Sequence, residues 1–333
     1  MNELIYKIER LVNHFITPFP WAGIKSTNRE PLLVIGGIAR AGNHLVRGLL
    51  DGHPNLVIPP DEDYFVRTLA RSRIHQLQGW LCGADKSPMF YTKMQKDGFF
   101  ERLNTGQGEN SGDTGPLLDL EKYYDYVKTH HTPFSFKGLY RTHFEALAES
   151  LLRNNQNPHA LKVYFCVLNP LCNDVLNIGR VLAHYYDLKV IFIFRNPLAT
   201  YCSAKSRHYF ENGNITVFCR AVNKYYRDVA LFEKENLGKV FYLSFESLVN
   251  NTESLMHEIA SFIGIPYDDI LTRVTQNGKE IESNSSFTQM KGIDKQVLYR
   301  YKEKLAEEEI TYIKSHCADI TPMNFSYFEE KSI

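Results

Sequence analysis

Two apolar runs, each ending in a polar turn that opens a helical pattern, constrain this chain more than any other feature. The first is Leu32-Leu33-Val34-Ile35-Gly36-Gly37-Ile38-Ala39-Arg40-Ala41-Gly42-Asn43-His44-Leu45. The second is Lys189-Val190-Ile191-Phe192-Ile193-Phe194-Arg195-Asn196-Pro197, continuing to Ser203. Val, Ile, Leu and Phe without polar alternation mark strands buried on both faces, as in a parallel sheet. In an open α/β sheet the turns after such strands sit at the carboxyl edge, where ligands bind. The first turn suits a phosphate held at a helix start, and the second suits another. A ligand carrying two separated phosphates is the leading expectation.

Strand-like runs at 32–36, 161–167, 189–194 and 239–244 alternate with helical patterns. That order predicts an α/β fold, a central parallel sheet flanked by helices. Residues 1–30 are expected to form an N-terminal helix and linker, and 31–325 a single α/β domain. The stretch between the first two long strands exceeds what one crossover needs. Its 66–160 region is expected to be a helical and loop insertion shaping the site of a second substrate. A helix is expected over 252–263, a polar loop near 277–294 and a final helix over 306–316, whose Glu307, Glu308 and Glu309 meet the positive dipole end.

Lys plus Arg equal Asp plus Glu at 38 each, so no global field draws nucleic acid or an anionic membrane. Any phosphate site must come from local placement. The six cysteines, at 82, 166, 172, 202, 219 and 317, include no CxxC pair. Neither a metal site nor a disulfide framework is signalled, and a cytoplasmic setting is expected. The longest apolar runs are of strand length, so no transmembrane segment is expected. The N-terminus lacks the pattern of a signal peptide.

Gly37 and Gly42 have the four-residue separation of a P-loop, yet Asn43 and His44 stand where Lys and Ser or Thr would reach phosphate and Mg²⁺. A Mg-nucleotide kinase is therefore a poor fit. Backbone N–H groups from Ala41 to Leu45 still suit an anion, and Arg40 can supply the charge in bidentate form. Arg195 ends a buried strand where a charge needs a reason, Asn196-Pro197 opens a helix with Pro at its favoured position, and Ser203 falls about two turns on. An Arg paired with a sheet-end carboxylate beside a solvent-facing Ser is the plain alternative.

Together, strand-Gly-x-x-Arg-x-Gly-x-x-Leu, then Leu49-Leu50-Asp51-Gly52-His53-Pro54, then Arg195-Asn196-Pro197 with Ser203, resemble the sulfotransferase family. So do Tyr242-Leu243-Ser244-Phe245-Glu246-Ser247-Leu248-Val249, the Ser254 to Pro266 stretch, Asn284-Ser285-Ser286-Phe287 and Leu298-Tyr299-Arg300-Tyr301-Lys302. The resemblance covers about 31–318 and implies the P-loop-related sulfotransferase fold with 3′-phosphoadenosine 5′-phosphosulfate as sulfuryl donor. It implies that Gly37, Arg40, Ala41, Gly42, Asn43, His44 and Leu45 hold the 5′-phosphosulfate, and that Arg195 and Ser203 hold the 3′-phosphate. Phe245, Phe287, Lys291 and Arg300 complete the implied donor contacts.

Sulfuryl transfer needs cations at the developing charge and a base for the acceptor's proton. Arg40 is the expected cation, with Lys291 as a second. Glu62, in Pro59-Pro60-Asp61-Glu62-Asp63-Tyr64-Phe65, matches the family stretch that supplies the base; helix capping by these acids is the alternative. His44 is a further catalytic candidate, against a structural role in its helix, and His143 is a reserve base. No metal ligand set is expected. Two hydroxyls of the family's Ser-Gly-Thr-Thr are missing at Asn43-His44, and Phe245 stands where Tyr is common. The expected activity is transfer to a hydroxyl or amine of a carbohydrate, lipid or small molecule. The alternatives are a decayed donor-binding protein and an atypical nucleotide kinase.

Overall fold

The computed structural model describes residues 29–59, 117–130, 136–151, 163–167, 175–281 and 292–317. The expected N-terminal helix, most of the 66–160 region, Glu62, Phe287 and Lys291 lie outside the described residues.

Five parallel strands form the central sheet: β1 (Glu30–Gly37), β2 (Leu56–Val57), β3 (Val163–Val167), β4 (Tyr186–Phe194) and β5 (Lys239–Ser244), in the order β2-β3-β1-β4-β5. The four long strands fall on the four apolar runs. Leu32, Leu33, Ile35, Ile191, Phe192 and Ile193 have no exposed surface, as their unbroken hydrophobicity requires. The two-residue strand β2 is too short to leave an apolar run of its own.

The chain fills one side of β1 with β2 and β3, then crosses to the other side with β4 and β5. The switch point therefore lies between the carboxyl ends of β1 and β4, where a crevice for ligand opens in such sheets. Tyr225 fixes that place from α7 (Ile215–Lys234): its hydroxyl donates to Gly36 O at 3.1 Å and Ile193 O at 3.2 Å. One buried phenol thus binds the ends of both strands.

The first helix, α1 (Asn43–Leu50), follows β1, and α2 (Leu120–His130) packs on α3 (Phe136–Ser150). Between β3 and β4 comes α4 (Val175–Tyr185). Beyond β4 come α5 (Pro197–Lys205) and the short α6 (Tyr209–Gly213) before α7. Beyond β5 come α8 (Phe245–Asn250), α9 (Thr252–Ile263), α10 (Tyr301–Lys304) and α11 (Glu307–His316). The helices expected over 252–263 and 306–316 match α9 and α11. Gly264, in left-handed conformation with φ +83°, ends α9 as a C-terminal glycine should.

The stretch read as a polar loop near 277–294 begins instead with a hairpin, β6 (Thr275–Gln276) and β7 (Lys279–Glu280). Asn277 and Gly278 both take positive φ, as a tight hairpin turn demands. Buried Asp51 anchors it, accepting from Thr275 Oγ1 at 2.9 Å and Gly278 N at 2.7 Å. Among the described residues, no helix is long and apolar enough to cross a membrane.

Candidate functional site

The turn after β1 is tight and partly left-handed. Arg40 has φ +69° and Gly42 φ +109°. A left-handed non-glycine residue carries roughly 1–2 kcal/mol of strain, so Arg40 needs an anchor. Arg195 provides it, donating from Nη1 to Arg40 O at 2.8 Å. At Gly42 a side chain is excluded, because a Cβ would fall 2.3 Å from the Phe245 ring.

Within this turn, Ala41 N–H is taken up by Ile38 O and Leu45 N–H by Gly42 O, each at 3.0 Å. Among the backbone donors from Ala41 to Leu45, these two are thereby occupied within the turn, and those of Gly42, Asn43 and His44 lie at the start of α1. The Asn43 amide turns inward: Nδ2 donates to Gly37 O at 3.3 Å and Ile38 O at 3.5 Å. Its side chain braces the turn, and it fits only because Gly37 lacks a Cβ, which would lie 2.1 Å from Asn43 Oδ1.

His44 is held neutral. Burial first, then the cations Arg47 and Arg40, push its pKa down to about 3. The ring is therefore a hydrogen-bonding group rather than a cation at neutral pH. Between about pH 6.5 and 3 the unfolded chain binds a proton here that the folded chain does not. His44 thus favours folding fully above that window and progressively less as pH falls through it. Replacing His44 by Gln is expected to flatten the acid limb of stability by up to about 1.4 kcal/mol per pH unit. Chemical denaturation at a series of pH values checks this, and an unchanged acid limb rejects it.

Opposite this turn, Asn196 caps α5 by accepting from Leu198 N at 2.9 Å, with Pro197 in the first turn. Arg195 and Ser203 are both buried. Arg195 also donates from Nη2 to Val297 O at 3.0 Å, and its guanidinium lies 4.3 Å from the Phe245 ring centroid. Phe245 thus acts through its ring face. Burial lowers the Arg195 pKa to about 10, with Glu246 opposing the drop, so it stays cationic at neutral pH. Its Nε is a buried donor with no hydrogen-bond partner among the described residues.

The two turns meet. Arg40 Nε donates to Ser203 Oγ at 3.1 Å, across the β1–β4 crevice. Burial lowers the Arg40 pKa, with Tyr209 opposing and Arg207 adding to the effect. Arg300 is ion-paired with Asp294 at 2.6 Å, in the segment that supplies Val297 O. Leu45 is half-buried and packs against the core. His143 is fully buried, its Nδ1 2.7 Å from Tyr123 Oη, in the α2–α3 pair.

Sequence reasoning missed Glu246. It is 1 % exposed, accepts Asn196 N–H at 2.9 Å and faces the Arg195 turn. Its place inside the 242–249 stretch was visible; its partner, fifty residues earlier in the chain, was not. Among the described residues, no group of three His, Cys, Asp or Glu is placed to hold a metal ion.

A sequence model of the sulfotransferase family matches residues 31–269. No curated protein matches the chain. Among solved structures, the chain is similar to the sulfotransferase domain from the Synechococcus PCC 7002 olefin synthase, with TM-score 0.51 and 18% identity over 89% of this chain and 98% of that one. It is also similar to the sulfotransferase domain from the curacin biosynthetic pathway, with TM-score 0.53 and 15% identity over 86% and 98%. At these identities the two structures establish the fold.

Proposed function

Because the chain belongs to the sulfotransferase family, we propose that it moves a sulfuryl group from 3′-phosphoadenosine 5′-phosphosulfate to a hydroxyl or amine of a small-molecule, lipid or carbohydrate acceptor. The observation that carries this reading is the meeting of Arg40, Arg195 and Ser203 at the switch point, with Arg40 Nε 3.1 Å from Ser203 Oγ. A second anion site beside the first has no use for a ligand with a single phosphate group.

The residues fit that donor. Arg195 Nε, buried and without a partner among the described residues, and the Ser203 hydroxyl suit a 3′-phosphate, since a buried unpaired donor is costly unless a ligand satisfies it. Gly42 and Asn43 N–H at the start of α1 suit the 5′-phosphate. Phe245, Phe287, Lys291 and Arg300 are assigned to the donor's remaining contacts on the family resemblance. When bound, the donor supplies the sulfuryl group and a phosphate leaving group.

The chain's own residues supply the rest. Arg40, held by its carbonyl, presents a fixed cation to the charge that develops on the bridging oxygen, and such a cation acts without reorganising. His44 offers a neutral imidazole as a hydrogen-bond donor. Glu62 takes the acceptor's proton. Lys291 is the second cation. Residues 31–325 act as one domain, with 66–160 shaping the acceptor site. The scattered cysteines, with no CxxC pair, suit a cytoplasmic setting.

Calorimetric titration with 3′,5′-adenosine bisphosphate in metal-free buffer tests the reading, with 5′-AMP as control. Micromolar binding that depends on the 3′-phosphate is the expected result. No binding by folded protein, or binding only with Mg²⁺, rejects it.

A further inference from the structure

Two consecutive side chains at the start of α8 reach both anion-binding turns. The Phe245 ring lies under the Arg195 guanidinium on one side and closes against Gly42 on the other. Glu246 Oε1 accepts the backbone N–H of Asn196 at 2.9 Å, and Oε2 accepts the Ser244 hydroxyl at 3.3 Å. Capping α8 does not require Glu246, because Ser244 already caps it by accepting from Ser247 N at 3.2 Å. A carboxylate this buried is costly to keep unless hydrogen bonds and a nearby cation compensate. Burial does push its carboxyl upward, while the Asn196 N–H and the charge of Arg195 pull the other way.

We propose that Glu246 is a positioning residue that sets Arg195 against Arg40 and thereby fixes the reach between the two phosphates the site accepts. The inference rests on the two-phosphate reading above. Asn196 N–H belongs to the peptide that directly follows Arg195. Holding that peptide holds the Arg195 backbone, and with it the guanidinium that spans Phe245, Arg40 O and Val297 O. Because Phe245 is the adjoining residue, the end of β5 acts as the gauge that spaces the ends of β1 and β4.

Three variants of the full chain test this: Glu246→Ala, Glu246→Gln and Glu246→Asp. Glutamine keeps an acceptor for Asn196 N–H; aspartate keeps the charge but withdraws the acceptor by one methylene. Glu246→Ala is expected to weaken 3′,5′-adenosine bisphosphate binding about 10-fold or more, with 5′-AMP within about threefold, and Glu246→Gln to recover most of the loss. Glu246→Asp is expected to behave like Glu246→Ala and replaces it if the alanine variant does not fold.

The Arg195 Nε–H resonance, assigned by its loss in Arg195→Lys, gives a readout that needs no nucleotide. It is expected to be sharp and slowly exchanging in wild type and Glu246→Gln, and broadened in Glu246→Ala or Glu246→Asp. If wild type binds no bisphosphate, the donor reading falls while this resonance still decides the role of Glu246. An unchanged resonance in the alanine and aspartate variants, or equal loss of both nucleotides, overturns the proposal.

Discussion

Replacing Arg195 by alanine is expected to weaken 3′,5′-adenosine bisphosphate binding by about 100-fold, and 5′-AMP binding far less. A hydrogen bond to a charged group contributes about 1.5–3 kcal/mol, and 1.4 kcal/mol is tenfold in affinity. The loss falls on the 3′-phosphate because Nε of Arg195 is a buried nitrogen that makes no hydrogen bond among the described residues. Its other two nitrogens already hold Arg40 O and Val297 O. Arg195→Lys keeps the charge but cannot reproduce a fork with two fixed acceptors, so most of the loss should persist. Calorimetry with both nucleotides reads the difference. Equal weakening of the two would remove Arg195 from the 3′-phosphate and leave it a brace for the Arg40 turn.

At Glu62→Gln, turnover is expected to fall by roughly 10²–10⁴-fold, the usual contribution of a general base, with bisphosphate affinity within about threefold. Glutamine matches the shape of glutamate and cannot take a proton. Glu62 lies outside the described residues, but the chain leading to it does not. Because β2 runs parallel to β3, Ile58 and Pro59 leave it at the carboxyl edge, the edge that carries both anion turns. Two strand spacings put that exit about 10 Å to one side of β1. Single-turnover assays with labelled donor and a hydroxyl and amine acceptor panel check the effect. Unchanged turnover would reduce Asp61-Glu62-Asp63 to helix caps. A wild-type protein that binds the bisphosphate yet transfers to nothing would favour the decayed binder.

The strands at 32–36 and 189–194 were legible because a strand inside a parallel sheet has no polar face to interrupt its apolar run. The two polar turns were legible for the opposite reason: Arg40 and Arg195 stand where burial disfavours charge. What escaped the sequence depends on distance through space. Asn43 is expected to help hold the 5′-phosphosulfate, and its side-chain amide turns back on Gly37 and Ile38 because those carbonyls lie within its reach. The neutrality of His44 follows from Arg47 one helical turn on and from Arg40, together with a burial that no spacing reveals. The 275–280 hairpin carried its Asn277-Gly278 signal, but strands of two residues give no alternation to go with it.

The bond from Arg195 to Val297 O has a consequence for biosynthesis. The proposed donor site draws on residues from positions 40, 195, 203, 245 and 297, so the sheet can form before that site is whole. While the chain is still being translated, β1, β4 and β5 can already pair, yet Arg195 lacks one of its two acceptors. Lys205 and Tyr201 of α5 likewise wait for Glu309. On the proposed reading, a nascent chain whose sheet has paired still lacks part of the donor site until the segment carrying Val297 docks.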